Sequence, residues 1–188
     1  VTTAAGRAGR LALALALSGA VASARGTAAA AGPATPSGSD RRQPADREPC
    51  VVSAVTDGDS FRCRDGRRIR LLLVDAPELD QAPFGTQARD ALRGRLRRND
   101  TAWLAYDVQR LDRYGRTLAH VWTARQGGTH VNLAMAQDGW VVAVVVPPNV
   151  RDIERIRAAV AAARQARRGL WADGRFTCEP AAHRRGAC

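Results

Sequence analysis

The sequence predicts an α+β domain in which five short strands close into a small barrel and helices are inserted and appended. Three observations carry that expectation. Short apolar or alternating runs recur between residues 51 and 123, separated by turn residues, as in a β-meander. Apolar residues at helical spacing first appear after the third of these runs and return near the C-terminus. The length, 188 residues, suits one core of ordinary size with tails, not two. A closed barrel is favoured because strands this short would otherwise leave open edges.

Residues 1–24 read as an export signal. Arg7 and Arg10 precede an apolar run over 11–22, and Ala22-Ser23-Ala24 has the small-x-small pattern of a signal-peptidase site. Val1 fits an alternative start codon. The run is short for a bilayer span and no later stretch is apolar for long enough, so no integral membrane segment is expected after cleavage. Residues 25–48 are mostly Ala, Gly, Pro, Ser, Thr and charge, the composition of a disordered linker. The folded domain is expected over 49–175 and a polar tail over 176–188.

The domain opens with a strand over 51–55, the turn Thr56-Asp57-Gly58-Asp59, a strand over 60–64, the turn Asp65-Gly66 and a third strand running into Arg70. The segment from Arg70 to Glu78, RLLLVDAPE, sets four apolar residues between polar ends, and they fit a strand covered on both faces until Pro77 stops the ladder. Taken alone, Asp75 and Glu78 have the spacing of a helix capping box, and Asp57-Gly58-Asp59 is a polar hairpin loop. A helix follows over 85–98, with Ala88, Leu92 and Leu96 on its apolar face and Arg89, Arg93, Arg95, Arg97 and Arg98 around much of the rest. Strands are predicted over 102–108 and 117–123, joined by the turn Leu111-Asp-Arg-Tyr-Gly-Arg116. Residues 131–137 form a short helix that Gly139 stops. The β-branched run 140–146 breaks at Pro147-Pro148, and a last helix spans 150–168 with Asn149 as N-cap and Gly169 at C′. An OB-type barrel is the natural candidate.

Charge narrows the partner. The net charge is +11, and all 29 basic residues are arginine. Loss of residues 1–24 removes two arginines and no acid, leaving 27 basic against 18 acidic residues, or +9. Guanidinium groups pair with phosphate through two parallel hydrogen bonds, so a nucleic-acid partner is expected. Four cysteines, Cys50, Cys63, Cys178 and Cys188, suit an oxidising destination. Three pairings are open, and Cys50–Cys63 across the first hairpin with Cys178–Cys188 in the tail is preferred. Zinc is disfavoured because no CxxC occurs. His120, His130 and His183 have no metal spacing and read as strand, loop and tail residues. The four tryptophans are expected to anchor core or surface.

The punctuation falls into a pattern: Asp57-Gly-Asp59 in the first turn, Arg70 opening the third strand, Asp75 and Glu78 closing it, and Asp112-Arg-Tyr-Gly-Arg116 between the fourth and fifth strands. With Gly139 after the short helix and Gly-Leu-Trp171 after the last, this resembles the staphylococcal nuclease family over about residues 51–171. The resemblance implies a five-stranded OB-fold barrel with three helices. It also implies a Ca²⁺-dependent phosphodiesterase that cleaves DNA and RNA with little sequence preference and leaves 3′-phosphates. Asp59, Asp75, Glu78 and the backbone carbonyl of Ala76 fall on the family's calcium site, Arg70 and Arg116 on its catalytic arginines, and Glu78 on its general base. Arg113 and Tyr114, in the same turn as Arg116, are expected to touch substrate.

Elementary chemistry supports the set. Ca²⁺ takes six to eight oxygen ligands, which carboxylates and carbonyls supply and imidazole or thiolate do not. Paired arginines stabilise negative charge as it develops on phosphate. Two departures stand out: residues 140–146 hold Trp140 and no tyrosine where the family stacks tyrosines on the nucleotide, and the loop after Glu78 is short. The alternatives are a non-catalytic OB module that binds nucleic acid by charge and an envelope-associated basic protein without activity. The protein is expected to be a monomer, secreted or held at the cell envelope.

Overall fold

The computed structural model describes residues 47–188. The expected signal segment and the expected linker as far as residue 46 lie outside the described residues. Two residues from the expected linker belong to the fold: Arg47 is buried, its Nη1 donates to the carbonyls of Ala124 (2.8 Å) and Gly127 (3.1 Å), and Glu48 lies in the first strand.

Five strands close the barrel in the order β1-β2-β3-β6-β5, with β1 Glu48–Val55, β2 Ser60–Cys63, β3 Arg68–Leu71, β5 Thr101–Ala105 and β6 Thr117–Trp122. Every pairing is antiparallel except β3 with β6, which runs parallel and sets Arg70 opposite Leu118. Val52, Phe61, Ile69, Leu71, Leu104 and Val121 are buried in its core. Cys50–Cys63 staples β1 to β2 and Cys178–Cys188 closes the tail, the preferred pairing.

The apolar run after Arg70 is buried throughout, but it is not one strand. β3 ends at Leu71, Leu73 takes a left-handed φ of 67°, and a separate strand β4, Val74–Asp75, pairs with β7, Val142–Ala143, in a second small sheet. Leucine resists that conformation, so tertiary bonds must hold it. Val144 N donates to Leu73 O (3.0 Å), and buried Asn132 donates from Nδ2 to Leu72 O (2.9 Å) while its Oδ1 accepts from Val121 N (2.9 Å). Asn132 lies on α2, Val131–Gln137, which matches the predicted span.

The other helices are shorter than their periodicity suggests. α1 covers Phe84–Arg95 and begins behind Pro83, so Asp75 and Glu78 cap no helix. It stops before Leu96 because Asp100 draws the chain into a turn, accepting from Arg97 N (2.8 Å). α3 covers Ile153–Gln165, with Asp152 at its N-cap; Arg167 (φ 51°) already takes the left-handed conformation after its end, two residues before Gly169 (φ 55°) takes it too. Asn149 instead clamps the β5–β6 connection, bonding Gln109 through both its N (2.8 Å) and O (2.9 Å). Gly169 opens a 3₁₀ turn, Gly169–Trp171, and a Cβ there would lie 2.4 Å from Gly139 O, so the two glycines permit a close crossing. No described helix is long and apolar enough to cross a membrane.

Away from β4, the aromatic residues Trp122, His120 and His130 pack together. His130 stacks on Trp122 with centroids 4.3 Å apart, the two imidazoles lie 5.3 Å apart, and the Arg47 guanidinium sits 4.0 Å from the Trp122 centroid. Both nitrogens of His120 and Nε2 of His130 are buried without a hydrogen-bond partner.

Candidate active site

The kink at Leu73 turns the end of the 70–78 segment towards the Asp57–Asp59 turn, and the two form one wall of a cleft of about 830 Å³. Gly58 makes the approach feasible, since a Cβ there would meet Ala76 Cβ at 2.6 Å and Ala88 Cβ at 2.7 Å. Asp57 Oδ1 accepts from Asp59 N (3.0 Å) and shapes the turn, and Asp59 Oδ2 accepts from Ala76 N (2.7 Å), joining turn to segment. Gly85 does the same for Glu78: a Cβ at Gly85 would stand 2.0 Å from Glu78 O, so α1 packs directly on that backbone.

Arg70 is the hub. Its Nη2 lies 3.0 Å from Asp59 Oδ2 and 2.9 Å from Asp75 Oδ1, and its Nη1 donates to the carbonyls of Leu71 (2.7 Å) and Val74 (2.6 Å). Asp59 and Asp75 are 6% and 3% exposed, so these are buried charges that survive only by being paired. Burial pushes the Asp59 carboxyl up to about 7, against the opposing pull of Arg70.

Across the cleft, the connection before β6 carries the second guanidinium. Asp112 receives Tyr114 N, Arg116 N and Arg116 Nε at 2.9, 2.9 and 2.7 Å. Burial works to raise the Asp112 carboxyl, but these bonds outweigh it and hold the group below the usual range. Arg116 is thus oriented through Nε, while Arg113 lies 4.8 Å from the Tyr114 ring and donates to its hydroxyl (2.6 Å). Arg68 from β3 donates to the Tyr114 carbonyl and braces the loop.

The structure therefore gathers every residue singled out in the sequence, Asp59, Arg70, Asp75, Ala76, Glu78, Arg113, Tyr114 and Arg116, along one cleft. It adds one that sequence reasoning missed. Arg184, from the tail, donates from Nη2 to Asp75 Oδ2 (2.7 Å) and from Nη1 to Asp75 Oδ1 (3.2 Å) and Glu78 Oε1 (2.7 Å). The one clue was its place between two cysteines expected to pair. A slightly larger hollow of about 890 Å³ beside Arg95 and Trp140 is lined by a single acid, Asp90, and gathers no comparable chemistry.

Among the described residues no three His, Cys, Asp or Glu side chains converge as a ready-made metal cage, because the carboxylates face arginines. The donor chemistry nonetheless fits a hard cation. Asp57, Asp59, Asp75 and Glu78 line the cleft with oxygen, no imidazole or thiol lines it, and Asp75 and Glu78 already converge on one cationic group.

A small closed barrel whose cleft sets buried carboxylates beside oriented guanidinium groups defines a protein built for an anionic, oxygen-rich ligand such as phosphate. The sequence model described as staphylococcal nuclease homologue matches residues 68–173. The chain is 34% identical over 130 residues to a thermonuclease of Staphylococcus hyicus, covering 65% of this chain and 75% of that one. It is 33% identical over 132 residues to a thermonuclease of Staphylococcus intermedius, covering 66% and 76%. It is 31% identical over 137 residues to the endonuclease YhcR of Bacillus subtilis, covering 64% of this chain but 11% of that much longer protein. The chain belongs to the staphylococcal nuclease family.

Proposed function

We propose that this chain, a nuclease of the staphylococcal nuclease family, is an exported Ca²⁺-dependent phosphodiesterase that hydrolyses DNA and RNA with little sequence preference and leaves 3′-phosphates. The observation that carries the reading is the meeting of Asp59, Asp75 and Glu78 with Arg70 and Arg116 in one cleft. Two disulfides support an oxidising destination, secreted or at the envelope. Nucleic acid as substrate fits the arginine-only positive charge.

Asp59, Asp75, Glu78 and the Ala76 carbonyl would hold the ion, which when bound polarises a phosphate oxygen and offsets its growing negative charge. Arg116 donates hydrogen bonds to the remaining phosphate oxygens, joined by Arg70 once its Nη2 turns from Asp59 and Asp75, and these bonds strengthen as phosphorus becomes five-coordinate. Arg116 is suited to this because Asp112 fixes its Nε and leaves its terminal nitrogens to the cleft. Glu78 accepts the proton of the attacking water as its oxygen bonds to phosphorus. The bond from phosphorus to the 5′-oxygen breaks, and that oxygen leaves and takes up a proton from solvent, to which Glu78 returns its own. Arg113 and the exposed Tyr114 contact the chain of the substrate beside the reacting group.

The test incubates the purified protein with plasmid and single-stranded RNA, with Ca²⁺ or chelator, beside Arg116→Ala. Ca²⁺-dependent cleavage of both polymers, lost in the variant, is expected. Binding of nucleic acid without such cleavage would instead identify a non-catalytic OB module.

A further inference from the structure

The C-terminal tail is built into the cleft. Phe176 meets Phe84 edge to face with centroids 5.2 Å apart, Pro180 is buried, and His183 Nε2 lies 3.0 Å from Asp80 Oδ1. Gln81 works in both directions: its Oε1 accepts from Glu78 N (2.9 Å) and its Nε2 donates to Cys178 O (3.0 Å), so one side chain holds both the acid's loop and the tail. Cys178–Cys188 then closes a loop around a single helical turn, α4 Pro180–His183, and delivers Arg184 onto Asp75 and Glu78.

What Arg184 occupies matters more than that it is paired. Both oxygens of Asp75 are engaged by it, and Oδ1 also receives Arg70. Glu78 Oε1 is engaged too. A hard cation needs such lone pairs at about 2.3–2.6 Å, and a guanidinium already hydrogen-bonded to them must withdraw first. A guanidinium keeps its charge at any ordinary pH, so Arg184 yields its place only by moving away.

We propose that Arg184 is a built-in competitor of the metal ion: it holds Asp75 and Glu78 in the ion's absence, and the disulfide-closed tail thereby sets the Ca²⁺ affinity of the cleft. This rests on the metal-dependent reading above. It adds that the threshold for activation resides in residues 176–188, outside the span matched by the family. The side chain of Arg184 is 45% exposed, so its release into solvent requires no opening of the core.

The experiment is calorimetric titration with Ca²⁺ alone, without nucleic acid, of the wild-type protein, Arg184→Gln, the pair Cys178→Ser and Cys188→Ser, and Arg185→Gln as a charge control. Thermal melts verify folding. Arg184→Gln should bind Ca²⁺ about tenfold more tightly, the cysteine pair should shift the same way by a smaller factor, and Arg185→Gln should match wild type. Unchanged or weaker binding by Arg184→Gln, or equal tightening by Arg185→Gln, overturns the proposal. A rise in KM for DNA with unchanged Ca²⁺ affinity also overturns it and makes Arg184 a substrate contact. If none of these proteins binds Ca²⁺, the metal-dependent reading falls with it. If wild type binds and cleaves while Arg184→Gln behaves identically, only the competitor falls.

Discussion

Asp59, Asp75 and Arg70 in the cleft, and His120 and His130 beside Trp122, are all withdrawn from water, yet the chain treats the two groups differently. The cleft matches its buried charges with opposite ones at 2.9–3.0 Å and opens them to solvent on one side. The histidine cluster holds two rings against an indole and leaves three nitrogens without partners. Burial drives His120 down to about 4 and His130 down to about 3, so both are neutral packing groups. Burial of a titratable residue therefore marks a site only where opposing charges and an open cavity accompany it.

The largest expected difference between the regions lies in catalysis. Arg116→Ala should lower kcat about 10³-fold, by analogy with other arginines on phosphoryl groups, in single-turnover cleavage assays. Its melting temperature should move little, because Asp112 keeps its bonds from the Tyr114 and residue-116 backbone N–H groups when the side chain is lost. Arg70→Ala should abolish cleavage to at least the same degree and also cost about 3–5 kcal/mol in urea unfolding, since it leaves the buried Asp59 carboxylate without its cation, whereas Asp75 keeps Arg184. If the two variants proved equally stable, the hub assigned to Arg70 would be wrong.

Gly85→Ala separates packing from charge. Its Cβ would collide with the Glu78 carbonyl, so α1 or Glu78 must shift, at about 1–3 kcal/mol of stability and a clear loss of rate. Gly94→Ala, on the same helix with open space around it, is the control and should be neutral or slightly stabilising.

The histidine cluster should show itself only in stability against pH. His120 faces Arg151 and Asp107, and His130 faces His120, Asp152, Arg155 and Arg47. Their folded-state values lie below the ordinary 6.5, so the unfolded chain binds more protons between about 4 and 6.5. Their contribution is complete above that window and is lost as pH falls through it. Asp59 acts with the opposite sign, because its folded carboxyl takes up a proton near 7 against 3.8, and its contribution declines as pH rises between those values. Two histidines outweigh one acid, so urea midpoints should fall from pH 6.5 to 4.5. In His130→Phe, which keeps the stack on Trp122, that slope should become nearly flat. The smallest effect is expected at Tyr114→Ala, a rise of a few-fold in KM without change in kcat, because one exposed ring contributes about 1 kcal/mol to holding nucleic acid.

Much of the barrel was legible because strand and turn signals are local. The short helix at 131–137 was read to the residue, and the acids and arginines of the cleft were read through the order of three motifs that no single element reveals. What escaped depends on distant partners. Nothing local says that Leu73 will accept a left-handed backbone, since the bonds that hold it come from Val144 and Asn132. Asn149 is a good cap by type but is recruited by Gln109, forty residues earlier in the chain. Arg184 looked like one more arginine in a polar tail, and only the docking of that tail through Gln81 and Pro180 brings it to Glu78.

The contact of Gly58 with Ala88 has a consequence for the order in which the molecule matures. Asp59, Asp75 and Glu78 are all translated by residue 78, but the Asp57–Asp59 turn rests against α1, and Arg116 arrives only when β6 lies down beside β3. A chain halted near residue 80, whether still emerging from the ribosome or clipped by a protease, carries those three carboxylates and neither the wall behind them nor the second guanidinium. Split versions of the protein divided in that region should accordingly be silent apart and regain cleavage only when both pieces are mixed.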